Sequence, residues 1–581
     1  MRKTALLAVV SVLSLAGWSQ DQGNDGGTFT GNIETTFQYL NEDTIIGADQ
    51  PAQKGLMNSY MNVFYTNKNF KAGMRLESYL PRIQGYPTNF DGTGIGMRYV
   101  GYANDFIDVT LGSFYEQFGS GLSLRAYEDR ALGYDNMLDG MRVILRPKEG
   151  VTVKGIYGYQ RFAFQEGRIV HSQGIVRGAD VEVNLNQSLK KYMSNSKLDV
   201  TLGGSLVSKY QRDNNSDFIL PENVGCYGGR AALRYGKFTL DGEYVIKEQD
   251  PSEDNGYIYN WGHAGVINAG YSQKGLGIVL QAKSVDNMSY RSDRTKQLQD
   301  VLINFLPAMT KTHTYNLVSS LYPYATQPVG EIAYQGEILY TIKRGTKLGG
   351  KYGTSINVNY STAYRPKRGD NMVQDSISGR MSNYSINPFQ MSDSIYWSDF
   401  NINIYKKFSK KFNLTLSYFK MLVNNDVATV AKEVGNIKSN IFVVEGGFKF
   451  KNKSSMRVEL QGLFVNRRDS LGNDTGFSDP NGTPVDNGDW VTLLVEYTIN
   501  KNWFVSAMNQ YNFGNGNLSK IKDGKKTSPI HHPYLTVGYV RGATRLTASY
   551  GRQRAGLFCV GGVCRPVPAS NGLTLSFTQS F

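Results

Sequence analysis

The sequence predicts an all-β fold: a large antiparallel transmembrane β-barrel of about 24 strands, within a range of roughly 20 to 26. Three observations predict it. Apolar and polar residues alternate with period two from end to end, the alternating segments are joined by connections that are in turn very short and long, and the last segment is an amphipathic strand ending on Phe581. A strand of period two has one apolar and one polar face. Loops segregated to one end, with strands of ~10 residues, are the pattern of a barrel that crosses a bilayer rather than of a soluble sandwich.

The alternation is explicit. Met456, Val458, Leu460 and Phe464 are apolar, while Arg457, Glu459 and Gln461 between them are polar. Phe412, Leu414, Leu416 and Tyr418 alternate with Asn413, Thr415 and Ser417, and Leu573, Leu575 and Phe577 with Thr574, Ser576 and Thr578. Tight junctions fall at 67–69, 103–106, 146–150, 186–197, 235–237, 273–275, 343–351, 406–411, 451–453, 500–502 and 541–543, with gaps of a dozen to nearly fifty residues between the hairpins they close. These junctions join twenty-two strands, and one more stands at each end.

Composition agrees. The 581 residues are 40% hydrophobic and 19% charged, with 12% aromatics and only three cysteines, which excludes a disordered tail, a collagen repeat and a disulfide mini-scaffold. The net charge of +14 has to coexist with those aromatics, so the two must be sorted in space. No linker divides the chain into domains. The sequence therefore reads as residues 1–19, a secretory signal, followed by a single barrel over 20–581. Arg2 and Lys3 start the signal, Thr4 to Leu15 form its apolar run, and Gly17-Trp18-Ser19 is the cleavage site. The run is too short for a spanning helix, and no later stretch of ~18 apolar residues supplies one. The first strand begins within about ten residues of Gln20, which leaves no room for an N-terminal plug domain, so a barrel without a plug is expected.

The inward-facing positions include Arg75, Glu77, Asp108, Asp199, Asp241, Glu243, Arg457, Glu459, Glu496 and Arg545. Both signs occur, which reads as a wet, ion-paired lumen rather than a single-sign filter. The segment 114–142 concentrates Glu116, Arg125, Glu128, Asp129, Arg130, Asp135 and Arg142. It is the candidate constriction or ligand-contact loop; its other reading is a folded-in loop whose charges satisfy one another, as burial requires. Two long extracellular loops are expected, at 285–331 and 362–399. In the first, Leu298, Val301, Leu302, Phe305 and Leu306 have helical spacing between Ser292 as N-cap and Pro307, which predicts a short amphipathic helix that buries its stripe by folding into the barrel mouth or, as the alternative, against a partner. The second is Ser/Asn/Asp-rich and reads as surface.

No enzymatic chemistry assembles. His171, His263, His313, His531 and His532 stand in no metalloprotease or nucleophile-elbow context, the Asp-rich stretch 469–489 matches no calcium loop, and no catalytic residue, metal site, cofactor or nucleic-acid partner is expected. Cys559 and Cys564 bracket Val-Gly-Gly-Val and predict a disulfide clip in an oxidising compartment, whereas Cys226 stands alone. The tight turns are basic, among them Lys68, Lys190, Lys237, Lys347, Lys410 and Lys453. Since short turns of bacterial barrels face the periplasm, they predict a positive rim, read either as ordinary solvated turn residues or as a ring that contacts acidic lipid, peptidoglycan or an acidic periplasmic partner; outer-membrane lipid and a periplasmic or outer-membrane protein are the expected partners.

The segments Phe118-Gly119-Ser120-Gly121-Leu122 with Arg125-Ala126-Tyr127-Glu128, His313-Thr314-Tyr315 with Tyr322-Pro323-Tyr324-Ala325-Thr326-Gln327 and Gly330-Glu331, and Cys559-Val560-Gly561-Gly562-Val563-Cys564-Arg565 resemble a poorly characterised family of outer-membrane barrel proteins in Bacteroidota. The resemblance spans most of the mature chain and implies the same barrel and location, without catalytic residues or a substrate. Asp-Ser/Thr-apolar tripeptides in the long loops look like the O-glycosylation signal of Bacteroidota and mark Thr44, Ser376, Ser394 and Ser470. The functional expectation is a passive or partner-gated, porin-like conduit. Its alternative is a structural or docking subunit of an outer-membrane secretion or assembly complex, with a closed lumen.

Overall fold

The computed structural model describes residues 26–193, 196–369, 373–374, 381–382, 384–428, 436–451, 453–466, 488–514, 521–522, 525–526, 529–560 and 563–581. Among them, twenty-four strands form one closed sheet in which each pairs antiparallel with its neighbours in chain order. Closure joins the first strand to the last: Thr28–Asn41 pairs with Ser570–Ser580, from Asn32↔Ser580 to Asn41↔Asn571. A closed sheet has no edge, so every strand finds a ladder partner without water, as a bilayer demands.

All eleven tight turns expected from the sequence are present and lie at one end of the barrel. The shortest demand positive φ, which Gly236 (58°), Gly275 (83°) and Gly542 (58°) supply. At the other end the connections are long, with one departure from expectation. Val151–Gln165 and Arg168–Asn184 run on past their neighbours and join through Glu166 and Gly167 alone. The tip of that hairpin leans on the strand Gly92–Ala103, so closely that a Cβ on Gly94 would lie 2.0 Å from the Gly167 carbonyl oxygen. Glycine at both places permits the contact.

The outward face carries the apolar half of the alternation. Leu76, Val100, Leu111, Leu206, Leu280, Phe442, Leu460 and Leu493 are all exposed. At the short-turn end this band finishes in paired rings: Phe70 and Tyr102 with centroids 5.2 Å apart, Phe238 and Tyr271 at 4.8 Å, and Trp503 and Tyr539 at 4.8 Å. An apolar belt edged by aromatics is stable only against lipid, so the strands span a bilayer. No helix among the described residues is long and apolar enough to cross one.

Three expectations are corrected. The interior is not that of a plugless barrel, because the segments 115–137 and 287–329 fold inward and fill the long-loop half of the lumen. The helix expected between Ser292 and Pro307 is absent. Leu298 and Val301 take φ of 56° and 46°, Ser292 N donates to Val301 O (3.1 Å) and Ile303 N to Tyr290 O (2.9 Å), which makes an irregular hairpin. The Arg291 guanidinium holds its tip by donating to the carbonyls of Leu298 and Asp300, groups that a helix would have satisfied internally. The helix of this segment lies further on, at Asn316–Leu321. Finally, much of 362–399 is strand, for Thr354–Arg368 and Ile386–Lys407 continue beyond the barrel wall.

Residues 1–19, expected to be a secretory signal, lie outside the described residues, as do Ser376 and Ser470. Thr44 is exposed in the turn bridged by Asp43 and Ala48, and Ser394 is exposed on Ile386–Lys407.

Candidate functional site in the barrel lumen

Among the described residues, buried charge concentrates in the lumen. Its first cluster joins the wall to the inward segment 115–137. Arg75 donates to Glu77 (2.7 Å), Glu128 (2.9 Å) and Asp135 (2.8 Å), and Arg161 donates to both oxygens of Glu77 (2.8 and 2.6 Å) and to Asp135 (2.9 Å). Arg130 extends the set by pairing with Glu128 (3.0 Å) and with Glu34 on the first strand (2.7 Å). Arg75, Glu77 and Arg161 are all at least 98% buried at their side chains. Burial, with the Asp135 carboxylate beside it, pushes Glu128 above the usual carboxylate range against the pull of Arg75 and Arg130.

Of the seven residues expected to form a constriction, six are drawn into ion pairs or ring contacts with one another or with the wall. Glu128, Arg130 and Asp135 belong to the cluster just described. Glu116 pairs with Lys154 (2.8 Å) and Arg142 (3.6 Å), Arg142 reaches Asp108 (3.2 Å), and Arg125 lies over the rings of Tyr127 (4.4 Å) and Phe305 (4.0 Å). Asp129 departs from the group, since its carboxylate accepts the Leu132 amide (3.0 Å) and closes a turn. The charges of this segment are therefore satisfied mainly by the wall, with Arg130–Glu128 and Arg142–Glu116 as the pairs made among themselves.

Two buried lysines, Lys247 and Lys283, tack the second inward segment to the wall, and a third, Lys209, ties the wall to the connection that carries Asp250. Lys209 pairs with Asp250 (2.6 Å), Lys247 donates to Ser289 O (2.9 Å), and Lys283 pairs with Glu331 (2.6 Å) while donating to Pro307 O (2.6 Å). The two segments also bond to each other: Arg125 N donates to Ile303 O (2.8 Å), Phe305 N to Gly121 O (2.9 Å), and Asn136 Nδ2 to Leu302 O (2.8 Å). Beyond Pro307 the chain crosses to the opposite wall. There His313 meets Asp399 (2.7 Å) and Leu317 N donates to Gln461 (3.0 Å).

Around these polar contacts lies one continuous apolar core. It runs from Val207, Val224 and Val285 of one wall through Phe118, Leu122, Tyr290, Ile303 and Leu317 to Phe419, Ile441, Leu463 and Trp490 of the other. Each fully buried side chain of this size contributes ~1.5–3 kcal/mol relative to exposure, so the closure is a folded core rather than a loose obstruction. The ion-paired lumen expected from the sequence is therefore interrupted by this core, with open space left toward the short turns. There a cavity of about 450 Å³ is lined by the charged Lys71, Arg75, Glu128 and Arg142 together with the apolar Phe64, Met97 and Phe114.

A third element binds the first two together. Cys559 and Cys564 form the expected disulfide across the hairpin of Gly556–Val560 and Val563–Val567. Arg565 donates to Ala131 O (3.0 Å) on the first segment and also reaches Gly85 O. Arg554 binds Ser320 on the second, and Cys564 Sγ lies 3.8 Å from Tyr324 O. Cys226 is a buried free thiol in the apolar core. The five histidines form no metal cluster, and none of three or more ligating side chains occurs among the described residues.

Counting by twos missed Arg161. Tyr159 points outward, so Arg161 should too; the register of this hairpin shifts at 159–163, and that bulge re-aims the guanidinium into the lumen. Lys209 and Lys247 share the parity of Asp199 and Asp241 and were legible as inward-facing. What the sequence hides is that they meet the backbone and carboxylates of segments distant in the chain.

No curated protein matches the sequence. Solved structures similar in fold include a mutant of the ferric enterobactin receptor PfeA from Pseudomonas aeruginosa (9% identity, TM-score 0.42, 96% of this chain and 81% of that one). Others are the copper transporter OprC (10%, 0.39, 97% and 82%) and the outer membrane protein OpdK from Pseudomonas aeruginosa (10%, 0.34, 75% and 98%). At such identities the likeness concerns the barrel architecture alone. With the lumen occupied by the chain's own inward segments, a plugless barrel does not stand as a description of this chain. A family model spans residues 1–581, and the chain belongs to that family, a family of unknown function (DUF6029).

Proposed function

We propose that this protein is a transport barrel of the outer membrane, held shut at rest by its own inward segments and opened when a partner displaces them. The observation that carries the reading is the apolar core joining both inward segments to opposite walls, beside a cavity of about 450 Å³ left between the first inward segment and the strands near the short turns. Export under the signal 1–19 and a place among outer-membrane barrels of Bacteroidota belong to the same reading. So do glycans on Thr44 and Ser394, which are exposed at the long-loop end.

The rival is a docking subunit whose lumen never opens, and the closed core supports it too. Loosening the clasp separates them. Arg565→Ala combined with Arg554→Ala removes the side chains that tie the disulfide hairpin to Ala131 and Ser320. In proteoliposomes the wild-type barrel is expected to exclude a hydrophilic dye, and the double variant to admit it. If protease cuts the loosened variant within 287–329 while the dye stays out, the gated reading fails and the docking subunit is favoured.

A further inference from the structure

The short-turn rim is basic almost everywhere, but not evenly. Three turns that are neighbours along the sheet, 343–353, 408–411 and 450–454, carry with their flanking strand ends four, four and three Lys or Arg residues and no Asp or Glu. The strands bearing them are consecutive, Gly330–Ile342 through Ser455–Asn466, so these charges share one sector of the rim. Of the remaining turns, 185–197 carries three, Lys190, Lys191 and Lys197, and the others at most two; 104–106 carries only Asp105, and Glu149 offsets one of Arg146 and Lys148.

The same sector displays large apolar side chains where a turn in water would have none: Leu348 is 70% exposed, Phe408 51% and Phe450 45%. Phe408 stacks on Phe412 (5.5 Å) and Phe412 on Phe448 (5.0 Å), a column on the outward face of the barrel. Cations stand beside these rings. Lys406 Nζ is 5.6 Å from the Phe408 ring and donates to Leu348 O (3.0 Å), and Lys407 Nζ is 5.1 Å from the Tyr352 ring.

From this interleaving we infer that the sector binds anionic phospholipid of the leaflet facing the short turns, the rings entering the acyl boundary and the cations meeting headgroup phosphates. An acidic protein in water would match the charge but leave Leu348, Phe408 and Phe450 uncovered. Lipid covers both, since Lys stems lie along apolar surface while their ammonium groups reach the headgroups. The inference is independent of whether the lumen opens.

The test uses the full-length barrel in neutral detergent, with bound lipid counted by native mass spectrometry for phosphatidylglycerol and phosphatidylcholine of identical chains. The sector variant changes Lys347, Lys406, Lys410, Lys411, Lys451 and Lys453 to Gln. A control changes Lys68, Lys237, Lys274 and Lys501 to Gln, and folding of both is checked by heat-modifiable electrophoretic mobility. The expected result is a preference of wild type for phosphatidylglycerol of about tenfold or more, lost in the sector variant and kept in the control. Equal loss in both variants, or no loss in the sector variant, overturns it. So does displacement of the lipid by an equal concentration of inorganic phosphate, which would mean a phosphate site. Binding of poly-glutamate without lipid preference overturns it in favour of an acidic protein partner.

Discussion

Replacing Arg161 with methionine is expected to destabilise the barrel by about 3–5 kcal/mol, because it leaves the buried carboxylates Glu77 and Asp135 to share Arg75, one positive charge short. Arg161 contacts both oxygens of Glu77, whose side chain is 0% exposed, and one oxygen of Asp135. Arg75 already spends its three nitrogens on Glu77, Glu128 and Asp135 and cannot take over. The remaining negative charge repels within a medium of low polarity, and the first inward segment is the part free to move away. Urea unfolding in lipid vesicles reads the loss, and amide exchange across 115–137 locates it. Adding Glu77→Gln should recover a large part, since that removes the uncompensated charge while keeping an acceptor for Tyr79 Oη (2.9 Å). A double variant no more stable than Arg161→Met alone would show that the electrostatic account of this cluster is wrong.

Lys283→Met should act in the same way on the second segment. Lys283 and Glu331 are both wholly buried, 2.6 Å apart, and Lys283 also holds Pro307 O where the segment turns to cross the lumen. Its loss removes a pin and strands a carboxylate, again a cost of about 3–5 kcal/mol. Faster amide exchange is expected across 287–329 and little change in 115–137. Glu331→Gln in the same chain keeps an acceptor for the Gln327 amide (2.9 Å) and should restore protection. Unchanged exchange in the single variant would mean that the segment is held by its apolar contacts alone.

The barrel was legible because lipid on one side and lumen on the other impose a strict alternation, and because loop length records which end of the barrel a turn occupies. Strand number, the eleven turns and the disulfide could all be read locally. The seal could not. Leu298 to Leu306 have the spacing of a helix, yet Arg291 and the paired backbone of the neighbouring segment satisfy their carbonyls, so tertiary contacts override the local pattern. Arg161 escaped because one bulge reverses parity beyond it. The charged stretch Glu116 to Arg142 was visible as a cluster and as potentially self-satisfying, but its main partners, Arg75, Glu77 and Arg161, come from two other strands, and only the folded chain brings them together.

The closure of the lumen by the chain's own segments is tested most directly by planar-bilayer recording of the purified barrel beside a variant in which residues 288–328 are replaced by a short Gly-Ser linker. Both must show the heat-modifiable mobility of a folded barrel. The expected record is silence for the wild type, and stable open steps for the variant, in which the apolar bridge from Tyr290 to Leu321 is gone. Stable open steps of equal size in both would contradict the account.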